Sequence, residues 1–243
     1  QFTGLGNGLA PGADDTVELT PNALDAGTIE TISTRVTGVT TPFNVLFAGA
    51  FEPALGAALP GVSSCDDCTT GVTLSFPFFF VDEPATTSVF VSSNGFVSIG
   101  GDNGDACCSG DPDELVHTPF PRVAGLWDDL DTTDEYGGDT NGAVFFNDFG
   151  DRAVFTWLNV DTCCPSGTDS TFQITLFADG RIQLTYNGVD IVADDADDFL
   201  AGISSGGGVA DPGETDLSAA IQFNSGSEVT IYQLFNAPAA GEF

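Results

Sequence analysis

STFQITLFADGRIQLTYN, residues 170–187, decides the fold class. Phe172, Ile174 and Leu176 fall on one side of an extended chain and Thr171, Gln173 and Thr175 on the other, because successive side chains of a strand point to opposite faces. Asp179-Gly180 interrupts the run and RIQLTYN (181–187) resumes it. An Asp-Gly between two such runs signals a tight hairpin, since glycine accepts the positive φ that the turn demands. The same grammar continues upstream: TSVFVSS (87–93) and GFVSIG (95–100) meet at Asn94-Gly95, and GVTLSFPFFFV (71–81) is closed off by Glu83-Pro84. Phe78, Phe79 and Phe80 cannot all point inward. GAVFFN (142–147) and RAVFTWLNV (152–160) come next in this pattern, and FLAGIS (199–204), LSAAIQF (217–223) and EVTIYQLF (228–235) finish it. Turn signals every 8–12 residues between short strands predict an all-β fold, a two-layer antiparallel β-sandwich of jelly-roll or Greek-key kind. Phe78, Phe80, Phe90, Phe96, Phe155, Trp157, Phe172, Ile174, Leu176 and Ile182 are its expected core.

Composition agrees. The 30 Gly and 13 Pro suit turns, and the chain has 36 Asp and Glu against four arginines (Arg35, Arg122, Arg152, Arg181), with no lysine. Without lysine or methionine, long helices are hard to build. A formal net charge of −32 leaves no basic surface to displace counterions from nucleic-acid phosphates or to dock on an anionic membrane. No run approaches the roughly 18 apolar residues of a membrane span, so neither nucleic acid nor membrane insertion is expected. Such a surface attracts cations, Ca²⁺ above all, although acidity alone also fits a solvated surface in a salty or extracellular setting. A first residue of Gln and the want of a leader read as a processed or truncated chain.

Residues 1–62 differ from residues 63–243. TIETISTRVTGVTT (28–41) carries Thr at every third position with Ile29, Ile32, Val36 and Val39 between, and FNVLFAGAF (43–51) follows with Phe43, Val45 and Phe47. β-branched content argues for extended chain, and a weakly charged apolar stretch must be covered by its own core or by a neighbour. The expectation is an extended N-terminal arm that either donates a strand to another copy through Ile29, Ile32, Val36, Val39, Phe43, Val45 and Phe47 or completes its own sandwich.

SVFVSSNGFVSIG (88–100), RVAGLWDDLD (122–131), GAVFFNDFGDRAVFTWLNV (142–160), TFQITLFADGRIQLTYNGV (171–189) and LAGISSGG (200–207) together resemble the nidogen-type (NIDO-like) extracellular domain of secreted surface proteins, over about residues 70–235. The resemblance implies an extracellular or cell-surface location and a role in adhesion or matrix assembly, with a glycan or matrix protein as a possible partner, and it carries over no catalytic residues. The paired cysteines depart from the family's usual pattern.

Those cysteines are Cys65-x-x-Cys68, Cys107-Cys108 and Cys163-Cys164. An even count fits an oxidising compartment. Adjacent cysteines bridge each other only through a strained ring, so the expected pattern is Cys65–Cys68 closing locally, with the two Cys-Cys pairs cross-linking their loops. A thiolate metal site is the rival, at a spacing that matches no familiar zinc pattern.

Trp127-Asp128-Asp129-Leu130-Asp131 runs on to Asp134 and Asp139. Carboxylates at near-alternate positions beside a glycine turn can converge on one Ca²⁺. The alternative is that these aspartates bond backbone amides in an irregular turn. A weaker set is Asp102, Asp105, Asp111 and Asp113. Asp194, Asp195, Asp197 and Asp198 suit solvation. No organic cofactor is expected, and no enzyme: hydrolase chemistry needs a base, and His117 stands alone without a nucleophile elbow. The function expected is a secreted structural subunit that associates with copies of itself and is stabilised by Ca²⁺. The alternative is a monomeric adhesion or glycan- or protein-binding module of a larger secreted protein.

Overall fold

Strict alternation in TTGVTLSFPFFF places Leu74, Phe76, Phe78 and Phe80 in the core and leaves Thr73, Ser75, Pro77 and Phe79 exposed, so the Phe triplet divides two inward to one outward. A computed structural model of the chain describes residues 2–4, 15–19, 29–35, 51–80, 84–104, 107, 110–133, 142–162, 169–189, 199–208, 210–214, 220–223 and 230–235. In chain order the elements are β1 (Phe2–Gly4), β2 (Asp15–Leu19), β3 (Ile29–Arg35), β4 (Ala57–Ala58), β5 (Thr69–Phe78), β6 (Thr86–Ser92), β7 (Phe96–Ile99), α1 (Pro112–His117), β8 (Arg122–Trp127), β9 (Leu130–Asp131), β10 (Ala143–Asp148), β11 (Arg152–Thr162), β12 (Ser170–Phe177), β13 (Arg181–Asn187), β14 (Phe199–Ser204), β15 (Ala220–Phe223) and β16 (Thr230–Phe235).

Two antiparallel sheets form the sandwich. One runs β16-β14-β8-β7-β6-β5; the other runs β3-β13-β12-β11-β10-β4, with β9 paired to β11. Both expected hairpins form: Val91 faces Val97 across Asn94-Gly95, and Leu176 faces Ile182 across Asp179-Gly180. The run at 217–223 contributes β15, which pairs with β2 in a separate small sheet with β1. Phe90, expected in the core, is only half-buried. It stands on the outer face opposite Gly71, where its ring lies against the bare backbone.

A row of side chains in register across the second sheet holds its centre. Val144 faces Trp157, Trp157 faces Phe172, and Phe172 faces Tyr186, with the Trp157 and Phe172 rings stacked at 4.9 Å. Their polar handles reach the opposite sheet. The Tyr186 hydroxyl donates to the Gly125 carbonyl at 2.6 Å, and Trp157 Nε1 donates to the carbonyls of Ser92 and Ser93 at 3.2 and 3.0 Å. Buried aromatics with satisfied donors both fill the core and set how the sheets sit on one another. The outward positions of this sheet are covered as well: Thr156, Gln173, Thr175 and Thr185 are all buried.

Gly95 sits at the Asn94-Gly95 turn with φ +83, and a Cβ there would lie 1.7 Å from the Leu126 carbonyl oxygen. Backbone cannot yield as a side chain would. Gly95→Ala is expected to destabilise the fold by about 3 kcal/mol, read as a lower urea midpoint at unchanged slope. A loss below about 0.5 kcal/mol would mean that the turn relaxes freely.

Candidate functional site

Loops from distant parts of the chain meet at one end of the sandwich, and aspartates lie on most of them. Cys65 and Cys68 are disulfide-bonded, as expected, and the ring between them presents Asp66 and Asp67, the latter at φ 50. The ring is moored to the Ser93-Asn94 turn: Cys68 N–H donates to Ser93 Oγ (3.0 Å) and Ser93 N–H to the Cys68 carbonyl (2.9 Å). Asn94 then links the two acidic segments. Its Nδ2 donates to Asp67 Oδ1 at 2.9 Å, and its Oδ1 accepts from Leu130 N–H at 3.2 Å. Thr132 closes the third side, its hydroxyl lying 2.8 Å from the Val62 carbonyl and 3.2 Å from that of Cys65.

Asp128, Asp131 and Asp161 are buried, and Asp131 stands directly opposite Asp161 where β9 pairs with β11. Like charges facing each other across a ladder repel unless something compensates. Some turn chemistry is present too: Asp128 Oδ1 accepts from Asp129 N–H at 2.9 Å, and Asp131 Oδ1 from the N–H and hydroxyl of Thr133 at 2.6 and 2.7 Å. Asp67, Asp129 and Cys107 bring one oxygen or sulfur each within 4.8 Å of one another. Cys107 is disulfide-bonded, so its sulfur is no thiolate ligand, and the donors left are carboxylates suited to a hard cation.

The electrostatic strain shows at Asp66, whose Oδ1 is buried without a hydrogen-bond partner. Burial first, then the Asp67, Asp131 and Asp129 carboxylates, push its pKa up from 3.8 to about 6. A carboxyl raised on folding binds its proton more tightly in the native state, so metal-free stability should increase as pH falls from about 6 towards 4 and carry the full penalty above 6. Asp66→Asn should flatten that window. The urea midpoint at pH 5 and pH 7 checks it, and equal midpoints in the parent chain would contradict it. Glu52 and Asp148 are both held below their usual pKa, so their contribution is lost only at more acid pH.

Of the residues read from sequence, Asp128, Asp129 and Asp131 lie in this cluster; Asp134, Asp139, Cys108, Cys163 and Cys164 lie outside the described residues. Asp66, Asp67 and Asp161 were missed, although Cys-Asp-Asp-Cys places two acids inside a ring only four residues long. The second set is occupied separately. Asp102 accepts from the Thr69 hydroxyl and Gly104 N–H. Asp111 caps α1 by accepting from the N–H groups of Asp113 and Glu114. Asp113 lies 3.3 Å from His117 Nδ1, and Asp105 lies outside the described residues. Each arginine side chain described already has its acid: Arg122 has Glu114, Arg152 has Glu52 and Asp151, and Arg181 has Asp179. Among the described residues, then, no arginine faces this cluster as its counter-ion.

Ile29 and Ile32 of the expected self-association set lie in β3, which pairs antiparallel with β13 of its own chain over seven residues, from Arg35 opposite Arg181 to Ile29 opposite Asn187. Val36, Val39, Phe43, Val45 and Phe47 lie outside the described residues. A family model described as NIDO related matches residues 45–243. No curated protein and no solved structure matches the chain. The match takes in the acidic loops and both large sheets apart from β3, and leaves out β1 and β2 as well.

Proposed function

Because the chain belongs to the NIDO-related family, we propose that it is a secreted, non-enzymatic structural protein whose copies associate by strand exchange into an extracellular filament or matrix, with Ca²⁺ relieving the repulsion between them. One observation carries the reading. The edge of the second sheet at β13 is filled by β3, a strand from a segment outside the matched family domain. A strand appended in this way is the kind of element that a neighbour can supply, because the same main-chain hydrogen bonds form in either chain. Those bonds do not depend on charged faces, and that suits a subunit of formal charge −32. Intrachain pairing of β3 also favours the second reading, a monomeric adhesion or glycan- or protein-binding module.

Family membership and disulfides at Cys65, Cys68 and Cys107 support an extracellular setting. No helix among the described residues is long and apolar enough to cross a membrane. His117, the sole histidine, is exposed on α1 with its Nδ1 2.7 Å from the Asp113 carbonyl, an unpromising place for a general base. Ca²⁺ is assigned to the loops holding Asp66, Asp67, Asp128, Asp129, Asp131 and Asp161. Light scattering and electron microscopy across protein and Ca²⁺ concentration test the reading. Particles that lengthen with protein concentration, and faster in millimolar Ca²⁺ than in chelator, are expected. Dispersed monomers throughout would leave the module reading in place.

A further inference from the structure

We infer that residues 51–59 are the fixed root of an exchangeable arm and that Gln173 is the residue that fixes it, an inference resting on the strand-exchange reading above. Gln173 points outward from β12 yet is only 1% exposed. Its amide treats residue 52 as a neighbouring strand would. Oε1 accepts from Glu52 N–H at 2.9 Å, and Nε2 donates to the Glu52 carbonyl at 2.9 Å and to Thr156 Oγ1 at 3.0 Å. A buried amide with all these bonds made is costly to separate from its partner, because each group left behind stays out of water.

The stitching continues along the segment. The Glu52 carboxylate takes Arg152 Nη2 at 3.0 Å and Ala54 N–H at 3.0 Å. Asn147 Nδ2 donates to the Ala54 carbonyl at 2.6 Å, β4 pairs with Phe145 and Phe146 of β10, and Leu59 N–H reaches the Val144 carbonyl at 2.8 Å. Gly56, at φ +79, lets the backbone pass where a Cβ would meet the Phe146 carbonyl oxygen at 2.3 Å. Thus β12, β11 and β10 each grip this stretch, largely through its main chain. Among the described residues β3 and β4 are the two edge strands of this sheet, each paired on one side, and the stretch holding β4 adds to its ladder the side-chain bonds of Gln173, Arg152 and Asn147. Exchange therefore stops at the root. A copy gives its neighbour residues that precede Phe51 and keeps 51–59 on its own sheet.

Hydrogen–deuterium exchange of the full chain, dilute and assembled, tests this. Amides of 51–59 should exchange at least tenfold more slowly than those of 29–35 in the dilute protein and should not change on assembly, while 29–35 changes. Protection of 51–59 that moves in step with 29–35 would overturn the inference. Elastase, which cuts after small residues such as Ala54, Ala57 and Ala58, gives the second readout. Gln173→Leu should raise cleavage within 51–59 at least tenfold with tryptophan emission unchanged, and cleavage at the parent rate would overturn the role of Gln173. If Gln173→Leu fails to fold, the parent exchange rates still decide. If the chain stays monomeric at every concentration, the assembly reading fails by itself. The root then stands or falls on the exchange contrast within the monomer.

Discussion

A chain shortened to begin at Phe51 is expected to fold, to remain monomeric at concentrations where the full chain assembles, and to bind a synthetic peptide of residues 28–36. Among the described residues both hydrophobic clusters are built from Val62 onward, and the root at 51–59 is retained, so the sandwich keeps that interior. What disappears is β1 and β2, which form the small sheet with β15, and β3 with its seven-residue register on β13. That leaves an edge with unpaired N–H and C=O groups, which a matching extended peptide should occupy at least tenfold more tightly than a scrambled one. The charge balance makes the test discriminating. Residues 1–50 carry Asp14, Asp15, Glu18, Asp25 and Glu30 against Arg35, so their removal lowers repulsion between copies. If charge alone governed association, the shortened chain would assemble more readily; loss of assembly would implicate the arm. Size-exclusion chromatography with light scattering reads both outcomes. A shortened chain that fails to fold would make the arm part of its own core.

The largest effect of a single substitution is expected at Glu114. Arg122 is completely buried, its guanidinium 4.1 Å from the centre of the Phe96 ring and 4.3 Å from that of Trp127, and its carboxylate partner is Glu114 at 3.2 Å. Burial pulls the Arg122 pKa down and Glu114 holds it up, but arginine stays charged in any case. Glu114→Ala would therefore strand a buried cation at a cost of about 3 kcal/mol or more, roughly 6–12 °C of melting temperature for a chain of this size. Adding Arg122→Met should recover most of that loss, because an apolar side chain of similar length fills the slot between the rings without a charge. Thermal unfolding of the single and double variants checks both statements. A loss below about 1 kcal/mol in Glu114→Ala would show that water reaches the guanidinium.

Local pattern made the sandwich legible. Period-two runs gave Phe172, Ile174 and Leu176 their inward face, and Asn94-Gly95 and Asp179-Gly180 marked true hairpins, because both signals are properties of a few consecutive residues. Phe90 shows where pattern stops. It is apolar and lies in a strand, but its role is to cover Gly71 on the next strand, and only the register of β5 on β6 reveals that. The pairing of β2 with β15 joins residues about two hundred apart, and no local signal carries it. The acidic site was half legible for the same reason. Asp128, Asp129 and Asp131 stand out in one short motif, whereas Asp66, Asp67 and Asp161 join them only because Asn94 and the β9–β11 pairing bring their loops together. Asp111, read as a weak ligand, begins a helix, the ordinary role of an Asp that precedes Pro at a helix start.

Strand exchange is tested most directly by mixing two variants that each carry one added cysteine. Thr31 of β3 and Thr185 of β13 face each other in register, and directly opposed residues of an antiparallel pair lie within the reach of a disulfide. One preparation carries Thr31→Cys and the other Thr185→Cys. Assembled together in Ca²⁺ and mildly oxidised, they should yield a disulfide-linked dimer joining one copy's residue 31 to the other's residue 185, while neither preparation yields it alone. A mixture whose two new thiols stay free, beside a Thr31→Cys/Thr185→Cys double variant that closes its bridge within one chain, would contradict exchange between copies.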